Sequence, residues 1–230
     1  MKIHLLALTS ILMGHAFAVG PLEPIKPSSY QAPIKVACIG DSITQGSGAA
    51  EGKSYPSQLQ AFCGDDWKIG NFGVSGRTLL KNGDLPYWKE SAYQEALKFE
   101  PNVVIIMLGT NDTKPQNWKF EKEFITDYTA LVKSFESLPS KPRIYLCRPC
   151  PVPEPGNFGI NETNIKEQIR RINKLAKELN LGLIDMHKAL EDQPELLPDR
   201  VHPNTEGARE MAKAAFKALT GKRVPEEAKK

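Results

Sequence analysis

Past an apolar N-terminal leader the chain keeps two histidines, His187 and His202, and each has an acid close by. Asp199 stands three residues before His202, a spacing that can bring a carboxylate under the imidazole Nδ1 within one turn of chain. Pro203 follows at once and restrains the local backbone. Asp185 stands two residues before His187, so this second histidine competes for the same role. Ser42, in Gly40-Asp41-Ser42-Ile43-Thr44, is a nucleophile that such a base can activate. Gly76 can offer a backbone N–H without a side chain in the way, and the Asn111 amide can donate to a developing oxyanion. Nucleophile, base, acid and oxyanion donors are together what ester hydrolysis by a serine requires. Each residue also has a plain structural use. Ser42 could cap a helix, Gly76 make a turn, Asn111 an Asx bend, and Asp199 and His202 could cap the helix after them.

Such residues need a scaffold that gathers them. Short apolar runs at 34–39, 67–72, 103–108, 143–147 and 181–186 read as strands. Helical periodicity or composition predicts helices at 55–62, 88–99, 120–138, 164–179 and 205–219. The run at 103–108, VVIIML, is the most apolar and is predicted to be the central strand, buried on both faces. Five strands alternating with helices predict one three-layer α/β/α domain with a parallel sheet and right-handed crossovers. In such a sheet, ligands bind beyond the carboxyl ends of the strands. Ser42, Gly76 and Asn111 follow the first, second and third strands, and Asp199 and His202 come after the fifth. One edge of the sheet should therefore collect them all.

Composition bounds the function. The chain has 230 residues, 40% hydrophobic and 25% charged, enough for one domain with a proper core and unlike a disordered or disulfide-dense chain. Lys2, the apolar run from Leu5 to Met13 and Ala16-Phe17-Ala18 have the pattern of a signal peptide at 1–18, cut after Ala18. The domain plan is then a linker at 19–33, the α/β domain at 34–220 and a polar tail at 221–230. The expected location is secreted or periplasmic. Removing the leader takes one lysine and no acid, lowering the net charge from +3 to +2. The basic residues are scattered, which disfavours nucleic acid as a partner. No apolar run reaches the roughly 20 residues of a membrane span, so stable membrane insertion is not expected. Neither is an interfacial helix with a strongly basic face.

Four cysteines, Cys38, Cys63, Cys147 and Cys150, leave room for a disulfide in an exported protein. Cys147-Arg148-Pro149-Cys150 is a C-x-x-C, but it follows a strand where a redox motif would open a helix. A Cys147–Cys150 bridge is compatible with the spacing, and Cys38 reads as a small buried hydrophobe. No second cysteine pair or histidine pair completes a metal site, so neither metal nor cofactor is expected.

GDSIT at 40–44, N-x-G-x-x-G at 71–76, G-x-N-D at 109–112 and D-x-x-H at 199–202 resemble, in order, the four blocks of the SGNH (GDSL-type) hydrolases. The first block reads GDSI where the family's name has GDSL, and an apolar residue serves either way. The resemblance implies a flavodoxin-like sheet of order 2-1-3-4-5. It also implies Ser42 as nucleophile, His202 as base in preference to His187, and Asp199 as its partner. The implied oxyanion hole consists of the Ser42 and Gly76 N–H groups and the Asn111 amide. The G-x-S-x-G elbow of α/β-hydrolases is absent.

Loops at 80–90, with Tyr87 and Trp88, at 113–118, with Trp118, and at 150–161, with Phe158, should wall the site. Trp88 and Trp118 are the candidates for stacking on sugar rings. Without a lid insertion or a lipid-binding helix, the expected substrate is a small acyl ester, acetyl above all, of a carbohydrate. The resemblance points the same way, since compact secreted members include carbohydrate acetylesterases. It also spans thioesterases, lysophospholipases and arylesterases. A carbohydrate-binding protein without turnover is the contrasting class, disfavoured because every catalytic position holds the right residue type.

Overall fold

In the computed structural model, which describes residues 22–224, five strands form one parallel sheet. They are β1 (Ile34–Gly40), β2 (Trp67–Gly73), β3 (Val103–Met107), β4 (Arg143–Arg148) and β5 (Gly182–Asp185). Their order is β2-β1-β3-β4-β5. The register runs Val36 against Val103, Val103 against Arg143 and Tyr145 against Gly182. The helices are α1 (Ser42–Gln45), α2 (Tyr55–Cys63), α3 (Ser91–Lys98), α4 (Pro115–Trp118), α5 (Phe124–Glu136), α6 (Glu162–Glu178), α7 (Met186–Leu190) and α8 (Thr205–Thr220).

Alternation along the strands builds the layers, because successive side chains point to opposite faces. Val36, Cys38, Val103 and Ile105 face a core completed by Tyr55 and Leu59 of α2, Leu190 of α7 and Met211 and Ala215 of α8. Ala37, Ile39, Val104 and Ile106 face the other, with Tyr93 of α3, Phe124 and Tyr128 of α5 and Ile172 of α6. β3 is buried at every position, as its unbroken apolar run requires of a central strand.

The differences from the sequence reading lie at element ends. Residues 87–89 form a 3-10 turn, and α3 begins only at Ser91. Residues 121–123 do the same ahead of α5. α6 starts at Glu162, two residues before the expected start at 164, because the Asn161 side chain accepts from Asn164 N–H and sets the first turn. Residues 22–33, expected as a linker, pack against the domain: Ile25 is buried and its N–H donates to Leu219 O at 2.7 Å. The expected signal peptide and the last six residues lie outside the described residues. Among the described residues no helix is long and apolar enough to cross a membrane.

All four cysteines are free thiols. The Cys147–Cys150 bridge that the spacing would allow is not formed: Cys147 is buried in β4, and Cys150 Sγ lies 3.8 Å from Met211 Sδ. Burial pushes the Cys38 thiol up to about 12 and raises that of Cys147 as well, leaving both as small core hydrophobes.

Candidate active site

The site begins where β1 ends. A Cβ on Gly40 would stand 1.9 Å from Thr44 Oγ1 and 2.9 Å from Met107 O, so glycine alone lets α1 fold back against the strand tips. Asp41 caps α1, its Oδ1 accepting from Ile43 N–H at 3.0 Å. The first helical residue is Ser42, with only 8% of its surface exposed. Its N–H belongs to the first turn, where helix donors lack intrahelical acceptors.

Ser42 Oγ lies 2.9 Å from His202 Nε2, and His202 Nδ1 lies 2.7 Å from Asp199 Oδ2. The other carboxylate oxygen, Oδ1, accepts from the backbone N–H groups of Val201 at 2.9 Å and His202 at 2.7 Å. Burial pushes the Asp199 carboxyl up. The backbone and imidazole hydrogen bonds outweigh it and hold the group below the usual carboxylate range. The loop before α1's neighbour must pass under this pair. At Gly48 (φ +91) a Cβ would stand 2.7 Å from Pro203 O and 3.0 Å from His202 Cβ.

His187 is not near Ser42. It sits on α7, with Nε2 2.8 Å from Glu162 Oε1 and Nδ1 3.5 Å from Glu191 Oε2. The hydrogen bond it donates to Glu162 holds its pKa above that of a free histidine, against the opposing effect of partial burial. Glu162 also accepts from Val152 N–H at 2.8 Å, so this cluster anchors the 150–161 loop. Asn157 of that loop donates through Nδ2 to Asp199 O at 2.9 Å.

Gly76 (φ +80) and Asn111 line the same pocket as Ser42 and His202, a cavity of about 260 Å³. Asn111 is buried, and its Nδ2 lies 3.1 Å from Arg77 O and 3.3 Å from Asp41 Oδ2. The Asp41 carboxylate beneath it is wholly buried. Burial raises its pKa to about 6, opposed by the Ile43 N–H and by the charges of His202 and Lys114. Asp112 is also fully buried, accepts from Leu79 and Leu80 N–H, and is raised by burial to about 7.

The expected aromatic walls are redistributed. Trp88 does not line the pocket. Its indole N–H donates to Leu79 O at 2.7 Å, and its ring packs against Tyr93 and under Lys81. Tyr87 is buried, with its hydroxyl on Phe72 O. Trp118 lies outside the pocket too, in a neighbouring hollow. Phe158 is the aromatic that lines the pocket, with Ile160 and Val201 beside it; Phe158 and Leu85, 54% and 47% exposed, are the two large apolar side chains left open on the described surface. The Phe158 ring is 5.7 Å from that of His202. Leu85 Cδ1 lies 3.4 Å from where a Cβ on Gly76 would be. The sequence reading missed Asp41, Leu85, Lys114 and Asn157 as site residues. Only Asp41 carried a signal, its place inside the first block.

Residues 38–210 match the profile of the GDSL-like Lipase/Acylhydrolase family. Over 214 residues the chain is 39% identical to an acetylxylan esterase of Xylanibacter ruminicola. That alignment covers 84% of this chain and 44% of the relative, so the chain spans less than half of the relative's length. Among solved structures it is similar to the acetyl xylan esterase AlAXEase, with TM-score 0.65, 26% identity, and coverage of 81% of this chain and 100% of the other. A carbohydrate acetylesterase family member from Sinorhizobium meliloti shares the fold at TM-score 0.65 and 22% identity, covering 82% of this chain and 99% of its own.

Proposed function

The chain belongs to the GDSL-like lipase/acylhydrolase family, and on that premise we propose that it is a serine esterase removing small acyl groups, acetyl above all, from an O-acylated carbohydrate. The observation that carries this reading is the unbroken hydrogen-bonded line from Ser42 Oγ through His202 to Asp199. Ser42 Oγ attacks the ester carbonyl carbon as His202 Nε2 takes its proton. The carbonyl oxygen becomes an oxyanion facing the Ser42 and Gly76 N–H groups and the Asn111 amide. The C–O bond to the alcohol breaks, and His202 gives its proton to the leaving oxygen. Water, deprotonated by His202, then attacks the acyl-serine; the acyl C–Oγ bond breaks, His202 returns the proton to Ser42 Oγ, and the carboxylic acid leaves. Asp199, held ionised, stabilises the imidazolium in both steps.

A pocket of about 260 Å³ lies below the 300–1,000 Å³ of sites for drug-sized ligands, which favours a short acyl group. The similarity to acetylxylan esterases supports a carbohydrate alcohol. Residues 1–18 are read as an export signal, consistent with an enzyme that meets its glycan outside the cytoplasm.

The test is acetate release from O-acetylated xylan, O-acetylated sialic acid and simple aryl acetates, wild type beside Ser42→Ala. Serine-dependent release from a glycan supports the proposal. Release from the aryl acetate alone overturns the carbohydrate assignment, and release that survives Ser42→Ala overturns the mechanism.

A further inference from the structure

Resting on the proposed esterase reading, the direction in which the alcohol must leave can be followed across the surface. His202 protonates the leaving oxygen, so the alcohol half of the substrate lies on the His202 side of Ser42. There the exposed Phe158 ring stands 5.7 Å from the imidazole, a flat apolar face for the first sugar. Next in the chain, Gly159 abuts α4, where a Cβ on it would stand 3.3 Å from Pro115 Cδ. Beyond that contact lies a separate open hollow of about 540 Å³, lined by Pro115, Trp118, Lys119, Glu121 and Asn164. Two adjacent residues, Lys114 and Pro115, line the catalytic pocket and the hollow respectively.

Trp118 is held still within that hollow. Arg171 lies over its ring at 5.3 Å from the centroid, and the ring meets Phe124 edge-on at 6.3 Å. Arg171 is itself fixed by ion pairs to Glu121 and Glu167. Among the described residues nothing accepts the Trp118 indole N–H, whereas that of Trp88 is bonded to Leu79 O. Asn164, which lines the hollow, spends its Nδ2 on Thr113 O and keeps its Oδ1 as an acceptor. Lys119, Glu121, Arg171 and Glu167 sum to no net charge. A rigid ring with an open donor, an amide acceptor and balanced charge suits a neutral sugar, rich in hydroxyls and with one apolar C–H face.

We propose that the Trp118–Asn164 hollow is a second sugar-binding subsite, holding a glycan chain that continues from the residue deacylated at Ser42. The substrate is then an extended neutral polysaccharide or long oligosaccharide, and a single acetylated sugar fills only the Phe158 side.

The test compares kcat/KM on acetylated xylo-oligosaccharides of four or more sugars with kcat/KM on an acetylated methyl xyloside, for wild type, Trp118→Leu and Trp118→Tyr. Leucine keeps apolar bulk against Phe124 but offers no flat face, and tyrosine restores one. The expected result is a five- to twenty-fold loss for Trp118→Leu on the oligosaccharide relative to the monosaccharide, carried by KM and largely recovered in Trp118→Tyr. Equal losses on both substrates, or none, overturn the subsite while leaving the esterase reading standing. Binding gives an independent readout: deacetylated xylohexaose should quench tryptophan fluorescence of Ser42→Ala saturably, and not of Ser42→Ala/Trp118→Leu. A quench that survives in the double variant also overturns the subsite. If wild type deacetylates no glycan, the esterase reading fails in its carbohydrate part, and absence of the quench then removes the subsite as well.

Discussion

The Asp41 carboxylate and the Asn111 side-chain amide meet at 3.3 Å in the floor of the pocket, with both residues buried. The contact is at the long end for an N–H···O bond, and the same amide nitrogen lies closer, at 3.1 Å, to Arg77 O. The residue that caps the helix of Ser42, the proposed nucleophile, thus also touches a proposed oxyanion donor.

That double duty has a stability consequence for Asp41→Asn. The buried carboxyl is raised to about 6 from 3.8, so between those pH values the folded protein holds a proton that the unfolded chain has released. Stability therefore falls as pH rises through this window. Asparagine keeps an acceptor for Ile43 N–H and removes the buried charge. It should stabilise the fold by roughly 1–3 kcal/mol at pH 7.5 and by much less at pH 4. Urea denaturation at the two pH values checks this, and a difference that does not grow with pH refutes it.

Asn111→Ala removes one oxyanion donor while leaving Ser42 and His202 in place. The expected loss is on the order of 3 kcal/mol in the barrier, about a hundredfold in kcat, with KM little changed. An unchanged kcat would take Asn111 out of the mechanism.

His187→Gln should leave esterase turnover intact, because its ring faces Glu162 and Glu191 and not Ser42. Its effect is on stability. A histidine whose pKa is raised in the folded state stabilises fully below its unfolded pKa, and that contribution fades as pH climbs through the folded value. Wild type should exceed the variant in melting temperature at pH 5.5 by more than at pH 8.5. A constant gap would mean the ring contributes only packing.

Asn157→Ala cuts the tether from the 150–161 loop to Asp199 O and the bond that Phe158 N–H makes to Asn157 Oδ1. Each such bond is worth about 1 kcal/mol. Because a small displacement of a catalytic pair is costly, kcat/KM should fall roughly tenfold with a modest change in melting temperature. Steady-state kinetics beside a thermal melt distinguish this from general unfolding.

The parts of the molecule legible in the sequence were those set by local pattern. β3 announced its central place through its unbroken apolar run, and Ser42, Gly76 and Asn111 could be placed at the strand tips because each follows a strand; spacing alone left His187 and His202 both open, and the preference for His202 came from the family resemblance. What local pattern does not carry is which way a loop side chain turns. Trp88 and Phe158 are both aromatics in polar loops, yet one finds a carbonyl for its N–H and the other stays open beside His202. The segment at 22–33 reads as a linker because its anchor, Leu219 O, is supplied by the last helix. Asn157 carried no local mark, since its partner is a backbone carbonyl forty-two residues away.

Asp199 binds both the imidazole of His202 and the peptide that carries it, so the proposed base and acid form a small self-contained cassette. Its internal geometry owes nothing to the sheet; only its docking against Ser42 does, through Gly48 below and Asn157 beside it. Drift in the surrounding loops would therefore slide the two residues together, preserving the ring's tautomer while opening the gap to the serine. A descendant that lost turnover by this route would keep every catalytic side chain and an intact His–Asp pair. Such a silent enzyme would be recoverable by repairing a tether and not the chemistry.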